Sequence, residues 1–163
     1  MDFLFSQEQI NNSGVYSNIF IVCDGMGGHV GGATASQLAV KSILDYFSQD
    51  PFENIYTALS DAIAFANKQI FNYAKQNPDL KGMGTTVTLL LKRGDLAWYG
   101  HVGDSRIYFI RENLLSLLTI DHSVVNRWVM RGDMHPDDTN NHRYSHILER
   151  SVGSQIRGLH PQE

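Results

Sequence analysis

The sequence of 163 residues contains one cysteine, Cys23, and only four prolines. A single thiol cannot form a disulfide within the chain, so a small secreted scaffold held together by disulfides is excluded. Cys23 lies at the end of an apolar run, where we expect a buried, inert thiol rather than a nucleophile. The low proline content also excludes a collagen-like or proline-rich extended chain.

Basic residues are scarce as well, because 13 Lys and Arg face 17 Asp and Glu, for a net charge of −4. No strip of Lys and Arg could follow a phosphate backbone, so we expect no nucleic-acid partner. No run approaches the roughly 18 apolar residues that a membrane span needs, and residues 1–6 lack the basic and apolar regions of a secretion signal. We therefore expect a cytoplasmic chain without a membrane partner.

What the chain does have is the composition of an ordinary globular protein, with 42% hydrophobic and 18% charged residues. A chain of this length buries roughly 70% of the surface that it exposes when unfolded, enough for one core. We find no internal repeat, low-complexity tract or linker. Residues 1–163 are therefore expected to form a single domain.

The first half of the chain predicts a strand followed by two helices. Residues 18–23 are apolar and β-branched, as in a strand, and apolar residues recur at helical spacing over residues 33–47. Asp50 as N-cap, Pro51 at the first helical position and Glu53 in a capping box predict the start of the second helix. Asn77-Pro78 should end it. We expect the two helices to pack side by side on a sheet.

The second half predicts four more strands, over residues 85–91, 96–102, 107–110 and 114–119. The short turns between them favour an antiparallel meander, because parallel neighbours need a crossover of a dozen or more residues. A short helix is predicted at residues 124–131, and a second helical piece at residues 146–151 after a polar loop. The fold class is therefore α+β.

The most informative motif is the predicted strand that ends at Asp24 and continues into Gly25-Met26-Gly27-Gly28. A carboxylate followed by an open glycine backbone suits a hard cation bound by carboxylate and carbonyl oxygens. A phosphate cradle is the alternative, although the loop has no lysine and Asp24 would repel a bare phosphate. A plain glycine-rich turn with an acidic cap is the third interpretation, and the motif taken alone slightly favours it.

Two further acids lie at turns. Asp104 follows Gly103 between two predicted strands, and Asp-Ser in such a turn commonly bonds only to nearby backbone amides. Asp121 or Ser123 would serve as an ordinary cap for the helix that follows. The seven histidines, His122 among them, have no ligand spacing with the cysteine, and we expect His122 at the surface or in a flap.

Taken together and in this order, these segments resemble the PPM or type 2C protein phosphatases in their bacterial form. The matching segments are Asp-Gly-Met-Gly-Gly-His at 24–29 with the strand before it, Met-Gly-Thr-Thr at 83–86, Gly-Asp-Ser-Arg at 103–106, Leu-Thr-Ile-Asp-His-Ser at 118–123 and, more loosely, residues 146–153. The resemblance runs nearly end to end through the chain. It implies an antiparallel β-sandwich, two stacked sheets flanked by helices.

The resemblance also implies a function and a site. Members of this family hydrolyse phosphoserine and phosphothreonine with Mg²⁺ or Mn²⁺, and a water that bridges two cations is the nucleophile. On that template Asp24 is the catalytic residue and bridges both metals, while Gly25 offers its carbonyl oxygen. Asp104 serves an additional, weaker metal site, and Asp2 resembles the acid of the first motif. The implied partner is a phosphorylated protein, such as a target of a serine/threonine kinase.

The sequence departs from the family pattern at both ends. The basic residue that holds the substrate phosphate would lie before Met1, and the later Ser-Asp-Gly and Asp-Asn segments with two further metal ligands are not found. We therefore expect an incomplete family domain with reduced metal affinity, and uncovered sheet edges that favour self-association. The alternative function is a catalytically silent, phosphatase-like binding or regulatory module.

Overall fold

A computed structural model describes residues 2–12, 15–49 and 52–154 of the chain. Its strands are β1 (Asp2–Asn12), β2 (Val15–Met26), β3 (Gly84–Thr85), β4 (Val87–Arg93), β5 (Leu96–Val102), β6 (Tyr108–Arg111) and β7 (Leu114–Leu117). Its helices are α1 (His29–Gln49), α2 (Ile55–Gln76) and α3 (Val124–Arg131), with short 3₁₀ turns at Pro78–Leu80 and Pro136–Asp138. The predicted α+β class is confirmed.

The main sheet is antiparallel and has five strands, in the order β1, β2, β4, β5, with β3 paired to the end of β2. The register between β1 and β2 places Asp2 opposite Gly25 and Phe3 opposite Asp24. The strand predicted at residues 18–23 is therefore confirmed as the middle of β2. Its carboxyl end lies between β1 and β3.

Strands β6 and β7 form a separate antiparallel hairpin. The predicted continuous meander was wrong here, because β5 and β6 do not pair among the described residues. The chain leaves the main sheet at Gly103, which has a φ of +114°, and two threonines then hold Ser105. Thr88 Oγ1 donates to the Ser105 carbonyl oxygen at 2.9 Å. Ser105 therefore bonds to side chains of the main sheet instead of continuing the ladder.

Helices α1 and α2 pack side by side on one face of the main sheet, as predicted. Alternate residues of β2 and β4 face them and are fully buried, including Ile19, Ile21, Cys23, Leu89 and Leu91. Helix α1 begins at His29, four residues earlier than the apolar spacing indicated. Among the described residues, the structure has no helix with the length and apolar character of a membrane span.

The predicted start of helix α2 was wrong. The helix begins at Ile55, and its N-cap is Asn54, whose Oδ1 accepts hydrogen bonds from the backbone N–H of Tyr56 at 2.9 Å and of Thr57 at 3.4 Å. The residues expected to cap it, Asp50 and Pro51, lie outside the described residues, and Glu53 precedes the helix. The predicted end is confirmed, because the helix stops at Gln76 before Asn77-Pro78.

Helix α3 is confirmed, with Ser123 as its N-cap. The helical piece predicted at residues 146–151 was wrong, because this part of the chain is irregular and forms isolated bridges with distant residues. Leu148 forms a bridge with Ser123, and Val152 forms one with Thr85. The Val124 N–H also donates to the Ile147 carbonyl oxygen at 3.0 Å. Residues 124–147 therefore leave the body of the domain and return to it at a closed neck, and we call them the 124–147 lobe.

Candidate functional site

Asp24 is held through its backbone at the end of β2. Its N–H donates to Thr86 Oγ1 at 3.0 Å, and its carbonyl oxygen accepts from Thr85 Oγ1 at 3.0 Å and from the Thr86 N–H at 2.9 Å. The side chain is half-buried. Because both backbone polar groups have partners, the position of this carboxylate-bearing residue is fixed by the strand that follows helix α2.

Gly25 lies directly against the first turn of helix α1. A Cβ built at Gly25 would lie 2.1 Å from the carbonyl oxygen of Gly32, so any side chain here would collide with the helix backbone. The Gly32 N–H in turn donates to the Gly28 carbonyl oxygen at 2.8 Å. Part of the glycine signal therefore comes from the close contact between this strand end and the helix.

Asp104 lies on the turn that packs on Thr86, the residue that also holds Asp24. A Cβ at Gly103 would lie 2.5 Å from the Thr86 Cγ2 atom, and Thr86 Oγ1 and Ser105 Oγ are 2.8 Å apart. Burial, and then the carboxylates of Asp121 and Asp24, raise the pKa of Asp104. The fold therefore brings Asp24 and Asp104, eighty positions apart in sequence, within electrostatic reach of each other.

Asp2 reaches the same region through the register of β1, which pairs it with Gly25. The structure describes the backbone of Asp2 but not its side chain, so only the backbone position bears on its predicted role as a metal ligand. The four residues predicted as metal ligands therefore belong to one end of the main sheet and the adjoining turn.

Arg106 is a residue to which the sequence reasoning assigned no role. Its guanidinium contacts both carboxylate oxygens of Asp121, with Nε–Oδ1 at 2.9 Å and Nη2–Oδ2 at 2.6 Å. This ion pair, with the N-cap at Ser123, accounts for the motif around residues 118–123. The opposite charges in the two motifs were the signal that could have revealed the pair.

Two histidines stack beside the Asp104 turn. The rings of His101 and His122 are 5.0 Å apart between centroids. The Thr88 hydroxyl donates its one hydrogen to the Ser105 carbonyl oxygen. The hydroxyl oxygen therefore accepts from His101 Nδ1, which is 3.0 Å away. The Gly103 N–H donates to His122 Nδ1 at 3.2 Å, so the neutral ring of His122 carries its proton on Nε2. The expected surface position of His122 was wrong, because its ring is half-buried in this contact.

Burial lowers the pKa of both histidines. For His122 the pKa falls to about 4, and the charges of His101 and Arg150 contribute after burial. Both rings are therefore neutral at pH 7. A neutral stacked pair leaves the neighbouring carboxylates without a histidine counter-charge.

The donor set of the site suits a hard divalent cation. Asp24, the Gly25 carbonyl group and Asp104 offer oxygen donors only, which Mg²⁺ and Mn²⁺ prefer. The raised pKa of Asp104 reflects in part the repulsion from Asp24, and a cation between the two carboxylates would relieve it. No group of three or more His, Cys, Asp or Glu that could hold a metal occurs among the side chains that the structure describes.

The chain matches known proteins over most of its length. A family model described as Protein phosphatase 2C matches residues 5–127. A serine/threonine phosphatase, stp, of Listeria welshimeri serovar 6b is 39% identical over 152 residues, which cover 88% of this chain and 60% of that protein. The chain therefore spans about 60% of the length of this curated relative.

Solved structures give the same result. The serine/threonine phosphatase of S. agalactiae superposes with a TM-score of 0.83 at 32% identity, covering 93% of this chain and 63% of that one. The catalytic domain of the serine/threonine protein phosphatase PstP, solved in complex with two manganese ions, gives a TM-score of 0.73 at 27% identity over 94% of this chain and 68% of that chain.

Proposed function

The chain belongs to the protein phosphatase 2C family, and from this premise we propose that it forms the metal-binding part of a protein serine/threonine phosphatase. The observation that carries the proposal is the packing of the Asp104 turn on Thr86, which also holds Asp24. Two carboxylates from separate motifs thus lie within electrostatic reach of each other.

In this proposal Asp24 is the central metal ligand and the residue on which catalysis depends. Gly25 contributes its carbonyl oxygen, Asp104 holds a further ion, and Asp2 adds a carboxylate from the neighbouring strand. The backbone register of Asp2 opposite Gly25 supports its inclusion. Mg²⁺ or Mn²⁺, two or three ions in the complete site, is the expected cofactor, and the manganese-bound relative supports a divalent metal.

The role of the chain's own residues is to hold the metal-binding carboxylates in place. When bound, the divalent ions supply Lewis-acid chemistry and an activated water for hydrolysis of a phosphate monoester. Thr85 and Thr86 fix the Asp24 backbone, and the hydroxyl pair of Thr86 and Ser105 fixes the turn that bears Asp104. The ion pair with Asp121 holds the Arg106 guanidinium in place beside the turn.

The proposed substrate is a protein phosphorylated on serine or threonine, such as a target of a serine/threonine kinase. The relatives are named as serine/threonine phosphatases, which supports this class of substrate. These names favour an enzyme over the alternative of a silent binding module. Residues 1–163 act in this proposal as one domain in the cytoplasm, and the buried free thiol of Cys23 suits a reducing compartment.

Self-association is a further part of the proposal. Strands β1 and β5 are the edges of the main sheet, and the β6–β7 hairpin exposes Ile110, Leu114 and Leu115 by 69%, 71% and 64%. Exposed edges and apolar side chains favour contact with a second chain. Sedimentation should detect a dimer that Leu114→Glu with Leu115→Glu dissociates, and a wild-type monomer at all concentrations would contradict this part.

The test of the enzyme proposal is hydrolysis of p-nitrophenyl phosphate and of a phosphothreonine peptide by the chain with Mn²⁺ and with EDTA. We expect Mn²⁺-dependent turnover that Asp24→Ala reduces at least about a hundredfold, because it removes the central metal ligand. Asp95→Ala is the matched control, since Asp95 is an exposed carboxylate in the turn between β4 and β5.

Two results would count against the proposal. The first is folded wild-type protein that shows no turnover and no Mn²⁺ binding by calorimetry. The second is turnover that Asp24→Ala and Asp95→Ala leave equally unchanged, because the activity would then come from a contaminating phosphatase.

A further inference from the structure

A cavity of about 600 Å³ opens between helix α2, strand β5 and residues 118–122. This volume lies within the range of small-molecule sites in proteins. The cavity is next to the candidate metal site but does not include Asp24, Gly25 or Asp104 among its lining residues. It therefore needs an explanation of its own.

The wall of the cavity is mostly apolar and includes three basic side chains. Leu59, Ile63 and Trp98 form the apolar part, and His101, His122 and Arg150 supply the ionisable groups. No Asp or Glu is among the described residues that line it. The charge of Asp121 also acts on both histidine rings, but its carboxylate is paired with Arg106. Among the described lining residues Arg150 is the permanent charge, and it favours a negatively charged occupant.

Arg150 is fixed at the cavity by the chain on both sides of it. The Glu149 N–H donates to the His122 carbonyl oxygen at 2.8 Å, and Val152 exchanges backbone hydrogen bonds with Thr85. The neighbouring acid, Glu149, is already paired with Arg127 at 2.7 Å. Arg150 itself is half-buried and has no ion pair or side-chain hydrogen bond with any residue that the structure describes. The Arg150 guanidinium is therefore available to hydrogen-bond an anion in the cavity.

His122 provides a second donor on the same wall. Its Nδ1 accepts from the Gly103 N–H, so its neutral ring has the Nε2–H free to donate. The charge of Arg150 is close enough to act on this ring. On the neighbouring ring, His101 Nε2 is buried and finds no hydrogen-bond partner within the described part of the chain. Because Nδ1 of this ring carries the proton, its Nε2 is an acceptor. The donors that the wall offers to an anion are therefore His122 Nε2–H and the Arg150 guanidinium.

From this juxtaposition we infer that the cavity binds a small aryl oxyanion, a phosphate or carboxylate on a flat aromatic body. The oxyanion accepts from the Arg150 guanidinium and from His122 Nε2–H, and the aromatic body lies against Leu59, Ile63 and Trp98. Charge complementarity selects the head group and the apolar wall selects the body. The inference does not depend on the proposed phosphatase activity, because neither Asp24 nor a metal takes part.

The experiment is calorimetric titration of the chain with phenylphosphonate, which cannot be hydrolysed at its P–C bond by a phosphatase, in metal-free buffer. We expect saturable binding, and at least about tenfold weaker binding of inorganic phosphate and of benzyl alcohol, because each lacks one half of the ligand. Arg150→Gln should weaken phenylphosphonate binding at least about tenfold. Arg131→Gln, an identical substitution at an exposed arginine outside the cavity, should leave binding unchanged.

A second variant keeps the inference testable if Arg150→Gln does not fold. Ala64 is exposed at the mouth of the cavity, and Ala64→Trp should block binding by filling the space while keeping Arg150. Asp24→Ala should bind phenylphosphonate as wild type does. Absence of saturable binding, equal loss in Arg131→Gln, or loss in Asp24→Ala would each overturn the inference, the last because the ligand would then occupy the metal site.

Discussion

The two faces of the main sheet differ in how they are covered. The face under helices α1 and α2 carries Ile19, Ile21 and Leu89, all 0% exposed. The opposite face carries Val22 and Thr88 and, at the outer strands β1 and β5, Phe5 and Tyr99. The side chains of Phe5 and Tyr99 are 54% and 44% exposed. The helix-covered face therefore holds the sheet together, while the opposite face presents its side chains to other groups.

This difference shows how the fold separates stability from chemistry. The residues that place the candidate site, Thr86, Thr88 and His101, lie on or next to the opposite face, where residues after Gly103 fold back over the sheet. On this side of the sheet, hydroxyl and imidazole groups form hydrogen bonds, whereas on the helix-covered side apolar side chains pack together. A sheet anchored on one side can carry a polar site on the other without exposing its core.

The largest difference in the free energy of unfolding is expected when a leucine is changed to alanine on the helix-covered face of the sheet and on the exposed β6–β7 hairpin. Leu89→Ala creates a cavity in the helix-covered core and should lower the free energy of unfolding by about 3 kcal/mol. Leu115→Ala changes the same side chain on the exposed β6–β7 hairpin and should cost less than about 0.5 kcal/mol when both variants are unfolded at a concentration where the chain is monomeric. Urea unfolding followed by circular dichroism measures both. Similar losses for the two variants would show that the hairpin is as well packed as the core.

A smaller effect is expected at the turn that joins the main sheet to the candidate site. Gly103→Ala adds a Cβ 2.5 Å from Thr86 at a φ of +114°, and should destabilise the chain by about 2 kcal/mol. Gly94→Ala has positive φ but open space around it, and should cost about 1 kcal/mol. Urea unfolding compares them, with Mn²⁺ titration as a second readout.

If contact with Thr86 sets the geometry of the Asp104 turn, Gly103→Ala should weaken Mn²⁺ binding while Gly94→Ala leaves it unchanged. Equal metal affinity in both variants would show that the turn does not position Asp104.

The smallest effect should appear in the dependence of stability on pH. His122 has a pKa lowered to about 4 in the folded chain from 6.5 when exposed, so the unfolded chain binds more protons in this interval. The stability that the neutral His122 ring contributes is therefore fully present above pH 6.5 and is lost as the pH falls toward 4. Because the ring is only half-buried, we expect a loss of about 1 kcal/mol.

Urea unfolding at pH 7 and pH 4.5 measures this loss. His122→Gln should flatten the difference between the two pH values, whereas His135→Gln, at an exposed ring, should not. If the His122→Gln variant keeps the full pH dependence, groups other than this stacked pair cause it.

Much of the fold could be predicted from local patterns, and the errors have physical causes. The β-branched run at residues 18–23 was sufficient to predict strand β2, and Asn77-Pro78 was sufficient to predict the end of helix α2. The start of helix α2 was misplaced because Asp50-Pro51 carries the same capping chemistry as Asn54, and only the folded chain selects between them. The chain around residues 146–152 is not helical because Leu148 and Val152 pair with distant residues, which no local pattern records.

The candidate site was less accessible from local sequence. The motif around Asp24 had suggested a cation site on its own, but only the family resemblance linked it to Asp104, since a separation of eighty residues gives no indication of contact. The hydroxyl pair of Thr86 and Ser105 and the free guanidinium of Arg150 depend on three-dimensional neighbours. Sequence spacing could not reveal them.

The closed neck of the 124–147 lobe has a consequence for how this protein can change over evolutionary time. The bridge between Ser123 and Leu148 fixes both ends of the lobe, whatever lies between them. Insertions, deletions and new surface chemistry within the lobe therefore need no change in the threading of the main sheet. Such changes would alter the surface of the lobe while the strand end that bears Asp24 stays as it is.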